Sequence, residues 1–445
     1  MTHADDAVKF AALDDWIARE AIEFSLASAE GLAAAVDRVV VAVGNEVRVL
    51  ALGEALHGGE EFLVLRNRVF ARLVERHGFS AIALESSFPR GHLVNEYVGG
   101  GVSDSIEDVM ARGVSHGMGA LAANRELVEW MRDYNAAAGD RAKIQFYGFD
   151  SPTEMMTTDS PRRLVQFALD YLAAVDGKPH ERAERIAELL GEDGPWENQA
   201  ANMDPSKSIG RSEAAGMLRV EVEDLIAEMR RRQIELAAAS GAERYLEAVQ
   251  HAEGARGLLA YHAVIAGGSP NRMAEGLGLR DLMMADNVVA IAERERAAGR
   301  GRVLVFAHNS HVKVRRAAWE WGPHQWVWWP AGAHLRTRLG AAYAVIGTAV
   351  GVSEENGIGV PEEGTIESRL MAAAGVDAGD GAARFVPTAA FLNGHGGERL
   401  AALPVRSGSK KNSGYFPLTA ESFSDFDWLA AVDRVTYQRG GVKLT

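Results

Sequence analysis

The 445-residue chain contains no cysteine, which excludes disulfide bridges, thiolate metal sites and a cysteine nucleophile. It has no apolar run approaching the ~20 residues that a membrane-crossing helix needs. The opening MTHADDAVKFAALDDW carries acids where a secretory signal has a basic start and an apolar stretch, so a soluble, cytoplasmic protein is expected. Positive charge is also scarce: 47 Lys and Arg stand against 61 Asp and Glu, a formal balance of -14. Nucleic acids and anionic membranes need a positive face, and neither is expected as a partner. An HExxH zinc helix, a phosphate-binding loop and a GxGxxG dinucleotide signature are all missing, as are internal repeats.

What the chain does have is apolar residues, 47% of the total, enough for one large α/β domain with insertions or two packed lobes. The organising stretch is VRVLALGEALH (47–57). Six mostly β-favouring residues, Val47 to Leu52, read as a buried strand, and Gly53 is expected to turn the chain and leave Glu54 and His57 at the strand's mouth. The pattern EFLVLRNRVFARLVER places Phe62, Leu65, Val69 and Leu73 on one helical face. The same grammar recurs in GFSAIALESSF (78–88), a strand ending in Glu85, and in AKIQFYGFD (142–150), ending in Asp150. RVLVFAHNSH (302–311) ends in His308, Asn309 and His311. Further strands are read at 342–350 and 428–437, and helices at 15–43, 124–138 and 271–298. Residues 151–268 look helical, an inserted lobe placed to cap the crevice.

Alternating strands and helices predict an α/β fold, a central and mainly parallel sheet flanked by helices. In such a sheet ligands bind outside the C-terminal strand ends. Glu54, His57, Glu85, Asp150, His308 and His311 then converge on one edge. Histidines beside carboxylates suit hydrolysis by an activated water, because a neighbouring carboxylate orients the imidazole and raises its basicity. A cation for the developing oxyanion is available in Arg280, placed at the start of the helix that leads to His308. GVSHG (113–117) has the letters of a nucleophile elbow around Ser115, but SIEDVMAR before it reads as helix or loop where the elbow needs a strand. His57, Glu85, His308 and His311 also suit a divalent metal, and residue types alone do not separate metal-dependent from metal-free chemistry.

With these residues aligned, the chain resembles the erythromycin esterase family, which includes proteins labelled as succinoglycan-biosynthesis related. The resemblance is carried by GEALHGGEEFLVLR (53–66), GFSAIALES (78–86), LVEWMRDYN (127–135), YGFD (147–150), LRDLMMADN (279–287), VFAHNSH (305–311) and GAHLRTRLGAAYAVIG (332–347). It implies a metal-independent, cofactor-free hydrolase that opens the macrolactone ester of erythromycin-type antibiotics, with a helical lobe over a deep cleft. By that likeness His308 is the base, His57 and Glu85 are essential, Glu54 assists and Arg280 binds or polarises the substrate. His311, Asp150 and Asn309 are assigned to substrate binding, and a small molecule is the partner. Two stretches depart from the family pattern: WEWGPHQWVWWP (319–330), with five Trp, and the part beyond about residue 375, notably NGHGGERL (393–400) and GSKKNSGYF (408–416). The Trp-rich stretch is expected to be a packed connection or a subunit contact rather than a pocket lining. Two other readings of the crevice stay open. One is a metal-dependent hydrolase or a biosynthetic acyl-transferring or lyase enzyme; the other is a non-catalytic ligand-binding protein.

Overall fold

The computed structural model describes residues 3–139, 141–154, 157–321, 324–372, 381–395, 400 and 403–442. In chain order its strands are β1 (Ile22–Ser25), β2 (Val49–Glu54), β3 (Phe79–Ser87), β4 (Gln145–Asp150), β5 (Thr153–Glu154), β6 (Thr157–Thr158), β7 (Arg302–His308), β8 (Ala317–Trp321), β9 (His324–Trp328), β10 (Tyr343–Val352), β11 (Ala382–Pro387) and β12 (Trp428–Arg434). Eight of them form one sheet in the order β1-β11-β12-β10-β2-β7-β3-β4, while β5–β6 and β8–β9 are separate ribbons. From β12 to β4 all neighbours are parallel. Only β11 and β1 join antiparallel, at one edge. The sheet is therefore mainly parallel, as the strand and helix alternation predicts.

A parallel sheet is buried on both faces, and the period of two along each strand sorts its residues between two cores. Leu50 and Leu52 of β2 and Leu304 and Phe306 of β7 share one core with the helices Ala29–Val43, Glu60–Arg76 and Ala122–Ala136. Val49, Ala51, Val303 and Val305 point the other way, into a core with Met284, Val288 and Ile291 of the helix Arg272–Ala297. A third core belongs to the helices that follow β6: Arg162–Asp176, Ala183–Leu190, Glu213–Arg231, Gln233–Ser240 and Ala242–Ile265. Phe88, just past β3, is the residue that plugs this third core into the sheet side. No helix among the described residues is long and apolar enough to cross a membrane.

Several elements differ from the sequence expectation. Residues 15–43 are not one helix: β1 interrupts them, and Ser28 starts the next helix by accepting the Gly31 N–H. A four-residue strand between two strong helical patterns leaves almost no periodic signal. The helix Phe88–Val98 and strand β11 were not expected either. The Trp-rich stretch folds into the β8–β9 hairpin. Gly53 does not turn the chain; β2 runs through it to Glu54. The need for glycine there is steric, because a β-carbon would run into the Asn309 side-chain oxygen and crowd Val312. Asn309 cannot easily give way, since its amide is bonded at both ends to the Thr348 main chain of β10, at 2.9 and 3.1 Å. Gly53→Ala is accordingly expected to cost about 1–3 kcal/mol through overpacking, read as a lowered urea midpoint with an unchanged slope; an unaltered midpoint would refute this account of Gly53.

Candidate active site

Because β2, β7, β3 and β4 are consecutive in the sheet, their C-terminal residues stand side by side. Glu54 pairs with His308 across β2 and β7, and Ser87 pairs with Asp150 across β3 and β4. The β3–β4 register shifts between Leu84 and Ser87, so the ladder is irregular where Glu85 leaves it. Such an irregularity re-aims a side chain. Here it turns Glu85 into the middle of the row.

Glu85 is the hub. Its Oε2 accepts the His308 main-chain N–H at 2.8 Å. Its Oε1 faces Arg280 Nη2 at 3.3 Å, His311 Nε2 at 3.4 Å and His57 Nε2 at 3.9 Å. Burial alone pushes the carboxyl upward, but His311, His57 and Arg280 outweigh it and hold Glu85 well below the usual carboxylate range. Breaking a buried ion pair by removing one partner typically costs about 3–5 kcal/mol. The surrounding donors are therefore part of the fold as well as of the chemistry.

Two carboxylate–imidazole pairs flank the hub. In one, His57 Nδ1 donates to Glu54 Oε1 at 2.6 Å, while 41% of the His57 side chain remains open to solvent. Loss of hydration opposes its charge, but Glu54 first and Glu85 next raise its pKa from 6.5 to about 9. In the other, His311 Nδ1 donates to buried Asp281 Oδ1 at 2.8 Å, and Asp281 and Glu85 overcome the burial penalty and raise the imidazole's pKa. Asp281 is fully buried and also accepts the Trp328 indole N–H at 2.5 Å and the Ala331 N–H at 2.8 Å. The Trp-rich hairpin thus touches the site through one shared carboxylate.

His308 is held differently. A carbonyl oxygen can only accept, so the 2.7 Å contact to Gly414 O means that Nε2 carries the proton. Nδ1 then accepts from the Ser310 N–H and hydroxyl, capping the short helix Asn309–Val312. Burial, reinforced by the nearby His57 charge, pushes His308 down to about 3. The segment that supplies Gly414 also bonds Asn412 Nδ2 to His57 O and Phe416 N to Ala55 O, both at 2.7 Å. Residues 408–416 therefore buttress both histidines. Of the other divergent loop, residues 396–399 lie outside the described residues.

Arg280 is two turns inside its helix, not at the start, because the helix begins at Arg272. Its guanidinium grips Asp150 with two bonds, Nε to Oδ1 at 2.9 Å and Nη2 to Oδ2 at 2.7 Å. His116 Nε2 meets the same Asp150 Oδ2 at 2.9 Å. Asp150 is completely buried; burial raises its pKa, yet Arg280 and His116 bring it below the ordinary carboxylate value. On the helix Ala242–Ile265, the Tyr261 phenol is pushed up by burial and feels the charges of Arg280 and Asp150.

Glu54, His57, Glu85, Asp150, Arg280, His308 and His311 are therefore brought together, whereas Asn309 is spent on Thr348 and buried away from the crevice. Ser115 follows the helix Ile106–Gly113, with no strand before it, and its hydroxyl accepts the Ser87 N–H. It ties the turn after that helix to the end of β3. Among the described residues, no three His, Asp or Glu side chains are arranged to hold a metal ion. His116 and Tyr261 lie outside the residues expected at the site, and Asp281 belongs to it as the partner of His311. Asp281 stands next to Arg280 in LRDLMMADN and His116 next to Ser115 in GVSHG, whereas nothing in the letters around Tyr261 points to the site.

The erythromycin esterase family model matches residues 74–435. Erythromycin esterase type II of Escherichia coli is 25% identical over 319 residues, spanning 68% of this chain and 69% of that protein. Among solved structures, a Bacillus cereus protein superposes with a TM-score of 0.71 at 17% identity, covering 97% of this chain and 99% of its own. A succinoglycan biosynthesis protein gives 0.66 at 18% identity, covering 98% and 99%. An EreC erythromycin esterase mutant in its open conformation gives 0.62 at 17% identity, covering 90% and 93%. The structural likenesses concern the fold, and the family model spans most of the chain from just before β3, with Glu85, Asp150, Arg280, His308 and His311 inside it and Glu54 and His57 ahead of it: the chain belongs to the erythromycin esterase family.

Proposed function

We propose that this crevice hydrolyses an ester or lactone of a large natural product, a macrolide-type macrolactone being the first candidate, with the Glu54–His57 pair as general base. The observation that carries the reading is the half-open His57 ring, tied to a carboxylate at Nδ1 and turned toward Glu85 at Nε2. The family resemblance assigns the base to His308, but the geometry favours His57. His308 is buried, has both ring nitrogens engaged and is a weak base at a pKa of about 3. Its part is to cap the turn after β7 and to present its main-chain N–H to Glu85.

In this scheme water bound beside His57 Nε2 and Glu85 adds to the ester carbonyl carbon, and neutral His57 takes its proton. The carbonyl π electrons move to oxygen, and Arg280 stabilises that oxyanion. As the tetrahedral intermediate collapses, the carbon–alkoxy bond breaks and the imidazolium returns the proton to the leaving oxygen. The products are a carboxylic acid and an alcohol, with the net addition of one water. The erythromycin esterase relative from Escherichia coli supports the choice of substrate class.

Purified, chelator-treated protein incubated with erythromycin and a panel of lactones is expected to yield products heavier by one water in mass spectrometry. His57→Ala is expected to lose about 10²–10⁴-fold in kcat, while a His57→Ala enzyme with wild-type turnover, or a strict need for added divalent ion, would sink the mechanism. Only neutral imidazole can accept a proton, and with a pKa of about 9 the charged form dominates at neutral pH. Log kcat/KM therefore climbs with pH, at roughly one unit per pH unit below that value, and levels off above it. Glu54→Gln removes the strongest charge-raising partner, so the climb moves to lower pH while the plateau drops; a profile that stays in place contradicts the dyad.

A further inference from the structure

GVSHG matches a nucleophile elbow in letters only, and the hydrolytic scheme leaves it unused. Yet the turn is built with unusual care. His116 adopts a left-handed backbone, φ 58°, the one positive φ outside glycine among the described residues. Gly117 follows in the same region, φ 69°. A non-glycine residue persists there only where its surroundings over-determine it. Those surroundings are a reciprocal clamp onto the two residues after Glu85: Ser115 N donates to Ser86 Oγ at 3.0 Å, and Ser87 N donates to Ser115 Oγ at 2.8 Å. Both serine hydroxyls are buried and lie 3.3 Å apart. The turn is stitched to the end of β3, and its left-handed step delivers the His116 ring to Asp150 at the end of β4.

Asp150 in turn receives the Arg280 fork, and the same Nη2 that meets Asp150 Oδ2 also faces Glu85. With His116 on one side and Arg280 on the other, the plane of the carboxylate has little freedom. We propose that His116 is a positioning residue, holding Arg280 through Asp150 in the orientation that presents its guanidinium to Glu85 and to the reacting carbonyl. The catalytic half of this statement rests on the hydrolase reading above; the positioning half does not.

His116→Gly is a favourable test because glycine adopts the left-handed backbone without penalty, so the turn survives while the imidazole goes. His116→Asn, tolerant of the same backbone, takes its place if the glycine variant melts well below wild type. The first readout needs no substrate: hydrogen exchange of the Arg280 Nε–H by NMR, assigned by its disappearance in Arg280→Met. Exchange is expected to quicken about tenfold or more as the fork loosens, and added imidazole, which can refill the cavity, restores protection. The second is turnover of whichever lactone the wild type opens: kcat falls about ten- to a hundredfold with KM little changed, again with rescue by imidazole. Wild-type exchange in the variant overturns the proposal, and so does a loss of turnover that imidazole cannot restore while exchange is unchanged. Altered exchange with full turnover overturns its catalytic half. If wild type opens no lactone, the hydrolase reading falls, and exchange alone still decides whether His116 holds Arg280.

Discussion

A carboxylate almost removed from water must be met by donors or lose its charge, and the polar edge of this sheet is arranged around that constraint. Glu85 sits between a main-chain N–H, a guanidinium and two imidazoles, drawn from β7, the helix Arg272–Ala297, the turn after β7 and the loop after β2. Each of the three side-chain donors has a carboxylate of its own behind it: Glu54 behind His57, Asp281 behind His311, Asp150 behind Arg280. The result is an alternation of signs in which no group can be removed without leaving a neighbour uncompensated. Such alternation also explains how like elements acquire different properties. His57 and His308 have ring centroids 5.1 Å apart, yet one titrates near 9 and the other near 3. The difference lies in the surroundings: Glu54 at the ring of His57 overcomes the loss of hydration, whereas burial and the neighbouring His57 charge prevail at His308, whose ring meets no carboxylate at hydrogen-bond distance among the described residues.

Much of this edge was legible in the letters because a parallel sheet enforces it. Once 47–52, 79–84, 142–150 and 303–307 are read as strands of one sheet, the polar residues that end them have to meet. Glu54, Glu85, Asp150 and His308 follow from that single rule. What was not legible falls into two kinds. Short or weakly patterned elements, such as the four residues of β1, carry too little periodicity to be separated from flanking helices. Residues that reach the site from the side owe their position to tertiary contacts alone. His116 needs an unusual backbone angle, Tyr261 comes from a helix of the lobe, and Gly414 contributes a carbonyl, which no side-chain pattern can announce.

Roles were harder to read than places. A histidine at a strand end looks like a base until its partners are known, and His308 has its partners in residues 310 and 414, the second more than a hundred positions away. Gly53 and Asn309 make the same point in packing terms. The glycine expected to bend the chain is instead an allowance for the Asn309 amide, and the amide expected to meet substrate ties β7 to β10. Both residues lie in the motifs that carry the family resemblance, for reasons of packing.

The three separate cores bear on how such a molecule can diversify. The charged row is anchored in the two cores of the sheet, whereas the helices after β6 have a core of their own and join the sheet side along a seam where Ala242–Ile265 lies on Arg272–Ala297, with Gln250 bonded to Asn287 and Arg294 to Glu247. Substitutions inside that separate core, away from the seam, are expected to be close to additive with changes in the charged row. An architecture of this kind lets selection explore the molecules admitted while leaving the bond-breaking parts untouched, so that relatives with the same polar edge can diverge in what they accept.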